Sequence, residues 1–323
     1  MNSLLRFVFR RILFMIPLFL VITILTFYMM DAIGDPVTIL LAEMPGVSQS
    51  QIEMVKKFFG QDLPVSVRYL RWLTDVLRLD FGRSIFKGLP VGVMLETYGL
   101  QTLKLQLAAL AISLPLSIFL GVEAAVNQYT KKDVLLMSSA LLSRSIPGFW
   151  LGLILILVFS VWLGCFPSFG AVSIADYLYG NQILDELWHM ALPTSMICFF
   201  DIATFTLLLR SSMLDVLRED FVLAARASGL SRRTVIWKHA LRNAVIPLIS
   251  YVGYTFGIMI ASSPVTETVF SWPGLGVLFV DAITNLDYPT VMGVVFILVI
   301  TVFAANLASD IIHVMIDPRL KLE

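Results

Sequence analysis

Three histidines, His189, His239 and His313, are where metal ligation or proton transfer would be sought first. No two of them stand four apart, the spacing that sets two imidazoles on one helix face in an H-E-x-x-H site. Cys165 and Cys198 lie in or beside apolar stretches and lack the paired spacing of a zinc site or disulfide framework, so both read as packing residues. No nucleophile has a base at a recognisable offset, and the G-x-x-x-x-G-K-[ST] loop that cradles phosphates is absent. These residues point to no enzyme, no metal and no cofactor held by this chain.

Charges placed against their surroundings say more. Arg144 and Asp201 each interrupt a long apolar run. Ionisable groups at membrane depth are costly and are paired or turned toward a cavity. Counted along the helical rise of about 1.5 Å per residue, the two reach similar depth from the same side. They are expected to face each other or share a wet cavity, either as a structural ion pair or as a polar lining of a path. Glu267 and Trp272 begin a Gly- and Pro-rich stretch, ETVFSWPGLG at 267–276, between two apolar runs. It reads as a re-entrant or surface helix capping an outer mouth, more a structural plug than a contact for substrate.

A third constellation is the segment 210–247, RSSMLDVLREDFVLAARASGLSRRTVIWKHALRNAVIP. Gly229 is a helix stop and Ser231 the N-cap of the next helix. The pattern predicts a short helix over about 220–227, a turn, and an amphipathic helix over about 232–244, with Pro247 opening the next apolar run. On the first helix Ala224, Ala225 and Ala227 let another backbone approach closely, while Phe221 and Leu223 can fill a pocket. Such a helix suits docking to another protein; a solvated basic loop would explain the same residues.

The elements that position these groups are membrane helices. The chain is 58% hydrophobic and 14% charged, with mean hydropathy +0.86, whereas soluble domains carry about a quarter charged residues. Net formal charge is zero, which gives no reason to expect a nucleic-acid partner; membrane lipid is the solvent. A spanning helix needs roughly 20 apolar residues, and six stretches qualify: about 8–30, 103–126, 134–163, 190–209, 248–266 and 290–314. The third contains Pro147-Gly148, where a kink or break is expected. The first follows Arg6, Arg10 and Arg11, is longer than a signal-peptide core and has no small-residue cleavage site after it. Loops 127–133 and 210–247 and both ends carry Lys and Arg, whereas 164–189 and 267–289 carry none. Basic residues stay on the cytoplasmic side, so both termini are expected inside. The organisation read from this is a tail and first span over 1–30, an external segment over 31–102 ordered around Tyr69, Leu70 and Trp72, and a five-helix core over 103–323. No inverted repeat of the secondary-transporter kind is visible.

Segment 210–247 resembles the coupling loop of ABC-importer permeases of the dipeptide/oligopeptide/nickel group. The blocks ARASGL at 225–230 and KHALRNAVIP at 238–247 carry the likeness. Leu223 stands where the more general importer motif has Glu, as is usual in this group. Similar signatures run along the chain: RR at 10–11 with Pro17, GDP at 34–36, LP at 63–64, Tyr69, Trp72, DFGRS at 80–84, IPGFWLG at 146–152, ETVFSWPGLG at 267–276, DYP at 287–289 and DPR at 317–319. The resemblance implies a type I importer permease fold in the cytoplasmic (inner) membrane, with Phe221, Leu223, Ala224, Ala225, Ala227 and Gly229 at the ATPase contact. It also implies a second related permease, two cytoplasmic ATPases holding ATP and Mg, and an external solute-binding protein. The cargo would be short peptides or chelated nickel. An ion-coupled secondary transporter or a non-transporting receptor subunit is the alternative.

Overall fold

The computed structural model describes residues 2–34, 49–58, 62–173, 180–261 and 264–316. These residues are almost wholly helical, the exception being turns and one isolated antiparallel bridge between Arg83 and Pro90. Helix α1 (Asn2–Ile33) carries a largely exposed apolar surface, including Phe9, Leu13, Phe14 and Met29. In water such a surface would be a defect; in lipid it is solvated. Helix α2 (Gln49–Phe58) and helix α3 (Val65–Val76) follow. Helix α3 docks on α1 through Phe27, Tyr69 and Trp72, with the Tyr69 hydroxyl 3.0 Å from Thr23 Oγ1 and an Arg68–Asp31 ion pair beside it. The expected order around Tyr69 and Trp72 is therefore present, while Leu70 points outward.

Two long helices form the centre. Helix α4 spans Val91–Val126 and helix α7 spans Gln182–Val216. They pack closely: a Cβ added at Gly121 would lie 2.9 Å from Leu209 Cβ. Both outrun the apolar windows at 103–126 and 190–209, because hydropathy marks only the lipid-facing length and not the polar turns that continue the helix. Residues 91–102 thus belong to the same helix as the second apolar run.

The third apolar run is broken as expected. Helix α5 (Lys131–Ser145) and helix α6 (Gly148–Leu155) meet at 101°, the second continuing as a π-helical turn over Ile156–Trp162. Pro147 supplies no N–H and forces Ile146 to extended geometry (φ −85°, ψ 128°). Gly152 then lets α6 approach closely, since a Cβ there would meet Val269 Cγ1 at 2.8 Å.

Beyond α7 come helix α8 (Asp220–Ala227), helix α9 (Arg232–Thr234), a π-helical turn over Val235–Ala240 and helix α10 (Leu241–Ala244). Helix α11 (Ile246–Ala261), α12 (Pro264–Val269), α13 (Leu275–Thr284) and α14 (Tyr288–Ile316) complete the order. Gly253 and Gly257 form a G-x-x-x-G pair on α11. Added Cβ atoms there would sit 3.3 Å from Ser309 Cβ and 2.7 Å from Val302 Cα, so α11 and α14 pack nearly backbone to backbone.

By length and composition α1, α4, α7 and α14 can each cross a membrane, and the bent α5–α6 pair makes a fifth crossing if it is one span. Helix α11, at 16 residues, falls short of that length. The fold is thus a polytopic helical membrane protein. The His313 side chain, the motif at 317–319 and most of GDP at 34–36 lie outside the described residues.

Candidate functional site

The segment after α7 is built on a buried base. At the far end of α7 from its N-cap, Arg210 donates to both carboxylate oxygens of Asp133, Nε at 2.6 Å and an Nη at 2.7 Å. This bidentate pair fastens α5 to α7 just before the chain leaves the bundle. Helix α8 follows. Its Val222 is fully buried in a cluster with Val122, Leu209, Met213, Val235 and Leu248. Ala225 packs against the same cluster. The other side is bare: Phe221 and Leu223 are 41% and 51% exposed, and Ala224, Ala227 and Gly229 are exposed too. Gly229 ends the helix at φ +78°, a conformation that costs other residues about 1–2 kcal/mol. Ser231 then caps α9, its Oγ accepting from Thr234 N at 3.2 Å. Phe221 also lines a cavity of about 710 Å³ with Lys238, His239 and Arg242. A rigid helix with one anchored residue and an exposed apolar face can transmit a push without deforming.

The 267–289 stretch forms a second built structure. Glu267 has no exposure. Its Oε1 accepts from Thr102 Oγ1 at 2.6 Å, and its Oε2 accepts from Gly276 N at 2.6 Å and Val277 N at 3.2 Å. Thr102 Oγ1 in turn accepts from Leu275 N at 2.8 Å. The first turn of α13 is thus capped by side chains of α12 and α4. Gly274 and Gly276 leave no room for a Cβ, which would run into the Glu267 carboxyl at one position and Pro264 backbone at the other. Trp272, also fully buried, donates from Nε1 to Gln101 O at 3.1 Å. Neither Glu267 nor Trp272 is open to a solute in this conformation.

Arg144 and Asp201 are not joined. Arg144 is exposed in the last turn of α5, and Asp201 Oδ2 is buried without a hydrogen-bond partner. Among the described residues no ion pair includes either. Of the expectation that the two face each other or share a wet cavity, the direct pair is not formed: equal depth along two antiparallel helices fixes height but not azimuth, and Arg144 is exposed. The carboxylate that α5 and α7 do share is Asp133.

Residues 113–322 match the family described as "Binding-protein-dependent transport system inner membrane component", and residues 4–88 match "Binding-prot-dependent transport system membrane comp, N-term". Over 317 residues the chain is 39% identical to the oligopeptide transport system permease protein AppB of Bacillus subtilis (strain 168), across 98% of this chain and 99% of that protein. It is 34% identical over 336 aligned positions to the dipeptide transport system permease protein DppB of Escherichia coli (strain K12), again across 98% and 99%. The chain belongs to the binding-protein-dependent inner membrane components. It is an ABC-importer permease, a multi-pass protein of the inner membrane.

In this permease the motifs that looked separate in sequence meet in space. Ser84 Oγ donates to Asp287 Oδ2, and Ile85 N donates to Asp287 Oδ1 at 3.0 Å. DFGRS at 80–84 and DYP at 287–289 are thus two halves of one joint. Sequence reasoning missed Thr102, Asp133 and Val222, and quoted Asp287 only within the DYP block, without its partner Ser84. For Asp133 a signal existed: Thr130 followed by Asp133 has the spacing of an N-cap with an acidic residue in the first turn. For Thr102 and Asp287 nothing local marks the partner.

Proposed function

We propose that this permease imports short peptides, as one of two related membrane subunits served by two cytoplasmic ATPases and an external solute-binding protein. The observation that carries the reading is α8: Val222 is sunk in the permease core while Phe221 and Leu223 stand out beside it. An exposed apolar face on an otherwise anchored helix marks a contact surface. Phe221, Leu223, Ala224, Ala225, Ala227 and Gly229 are assigned to ATPase docking. ATP and Mg are held by those partners, and the permease itself holds no cofactor.

The orientation follows from the basic residues of the 210–247 segment, which belong inside. With α5–α6 and α11 each counted as one crossing, six spans place both termini in the cytoplasm and put α3 and α13 outside. Closure of the ATPases on ATP presses α8; the Arg210–Asp133 pair and the Val222 cluster pass that displacement to α5, α7 and α4. The state opened outward is favoured only if the ATPases contact α8 differently in the two states. The peptide assignment is supported by the oligopeptide and dipeptide roles in the relatives' names.

The test is uptake by vesicles holding the assembled importer, with its solute-binding protein supplied outside and offered a panel of dipeptides, oligopeptides and nickel chelates. ATP-dependent accumulation of peptide is expected. Accumulation of chelate alone overturns the substrate, and accumulation without the ATPases overturns the class.

A further inference from the structure

A cavity of about 710 Å³ lies between Phe221 of α8 and the helical run that leads into α11, within the roughly 300–1,000 Å³ of small-ligand pockets. Its polar end holds Lys238, His239, Arg242 and Asn243, and its apolar end Val245, Ile246 and Ile249. Lys238, Arg242, Asn243 and Ile249 are exposed and His239, Val245 and Ile246 part-buried, so each keeps surface that a ligand can touch. Polarity changes along this helical run rather than around it. Lys238, Arg242, Val245 and Ile249 recur at intervals of four, three and four, one stripe that is basic at one end and apolar at the other. Lys238 and Arg242, one turn apart with the same charge, repel each other. Among the described residues no carboxylate lines the cavity, and no ion pair includes Lys238, His239 or Arg242. Asn243 turns its amide to His239 O at 3.5 Å. Two unanswered cations alone would be ordinary. The apolar end that continues directly from them is what makes a site.

We propose that this cavity holds an anionic phospholipid of the inner leaflet, its phosphate at Lys238 and Arg242 and the first carbons of its chains along Val245, Ile246 and Ile249. Basic pockets beside spanning helices on the cytoplasmic side take such headgroups. The inference rests on the import reading above, which counts α11 as a crossing and puts the 210–247 segment inside. The dimensions agree. From Arg242 to Ile249 a helix rises roughly 10 Å, more than the headgroup layer of about 5–8 Å on each side of a bilayer. The stripe therefore runs from the depth of phosphates to that of acyl chains. An acidic side chain of an ATPase would answer the two cations but not the apolar end. Nor do Leu223, Ala224 and Ala227, on the bare face assigned to the ATPase, line the cavity. Phe221 borders both, so the lipid sits against the docking helix.

The experiment uses the permeases with their ATPases in phosphatidylcholine nanodiscs. These carry a trace of phosphatidylglycerol, or of phosphatidylcholine, with a photoactivatable group near the head end of one chain. After illumination, peptide mapping should place the phosphatidylglycerol on Phe221 or on residues 245–249, and the phosphatidylcholine there far less. Arg242→Gln should lower the phosphatidylglycerol yield at those positions about fivefold, and Lys238→Gln added to it about thirtyfold in total. Arg242→Lys, which keeps the charge, should retain most of the label. Both positions are exposed, and a monodisperse elution profile verifies the fold of each variant. Equal labelling by the two lipids, or undiminished labelling of the double variant, overturns the site. So does loss of the label on adding inorganic phosphate, which would make the cavity a pocket for a soluble anion. If the variants instead shed the ATPases while labelling is unchanged, the basic face is a protein contact and the lipid site is wrong. A cysteine at Ser231, probed from outside in parallel, separates this inference from the reading it rests on. No lipid label with Ser231 shielded removes the site alone; Ser231 open to the outside removes the inner-leaflet assignment and the orientation together.

Discussion

Glu267 shows how much one buried side chain can organise. Its carboxyl satisfies a hydroxyl from α4 and two backbone N–H groups at the start of α13. Glu267→Ala would leave those donors buried and unmet, at about 1–3 kcal/mol for each. The expected result is a drop in thermal midpoint of the purified permease of several degrees, with Glu267→Gln intermediate, since the amide keeps one acceptor for the backbone pair. A wild-type midpoint in the alanine variant would show that water replaces the carboxyl. From sequence, Glu267 and Trp272 were legible as a feature of the 267–276 turn, but not as its fastening, because Thr102 lies 165 positions away. The same blindness misplaced Arg144 and Asp201. A charge in an apolar run can be seen in one dimension; the direction it faces cannot.

At the scale of elements, the short helix, the glycine stop and the serine cap at 220–231 were all legible, because each depends on residues within one turn. What the pattern could not supply was which side of α8 is anchored. Val222 reads like its apolar neighbours, and only the cluster from α4, α7 and α11 distinguishes it. Two classes of variant should therefore part company. Val222→Asp puts a charge into a packed core and should abolish recovery of folded permease. Ala224→Glu and Gly229→Arg add bulk and charge at the exposed face and its turn, and should leave the permease inserted while uptake and substrate-stimulated ATP hydrolysis fall at least tenfold. Pull-down of the ATPases, scored beside membrane yield, tells the classes apart; normal uptake in both surface variants would free α8 of its assigned role. Helix ends, by contrast, were poorly legible. Polar turns that extend α4 and α7 past the lipid carry no hydropathy signal.

For the molecule as a whole, composition alone gave a helical membrane protein, and the placement of Lys and Arg is what the proposed orientation rests on. That orientation has a direct check. In a background lacking Cys165 and Cys198, single cysteines at Ser168 and Asn285 should react with an impermeant reagent from outside, and one at Ser231 should not. Labelling of Ser231 from outside would invert the topology and with it the assignment of α8. The crossings by α1, α4, α7 and α14 were readable because each is a long local run. The joint between 80–84 and 287–289 was not, because it is a closure between distant parts of the chain, visible only once the helices are assembled.

The close fit of α11 against α14 has a consequence for how the protein is made. Gly253 and Gly257 open a groove that Val302, Ala305 and Ser309 fill, but the ribosome delivers those residues last. Until then α11 sits in the bilayer with a glycine face that lipid tails cover poorly. A nascent chain stopped after Asn285 should therefore be cleared by membrane proteases faster than the full chain. Gly257→Leu, which blocks the groove, should shorten the full chain's half-life in the same pulse-chase; equal half-lives for all three would mean that α11 needs no late partner.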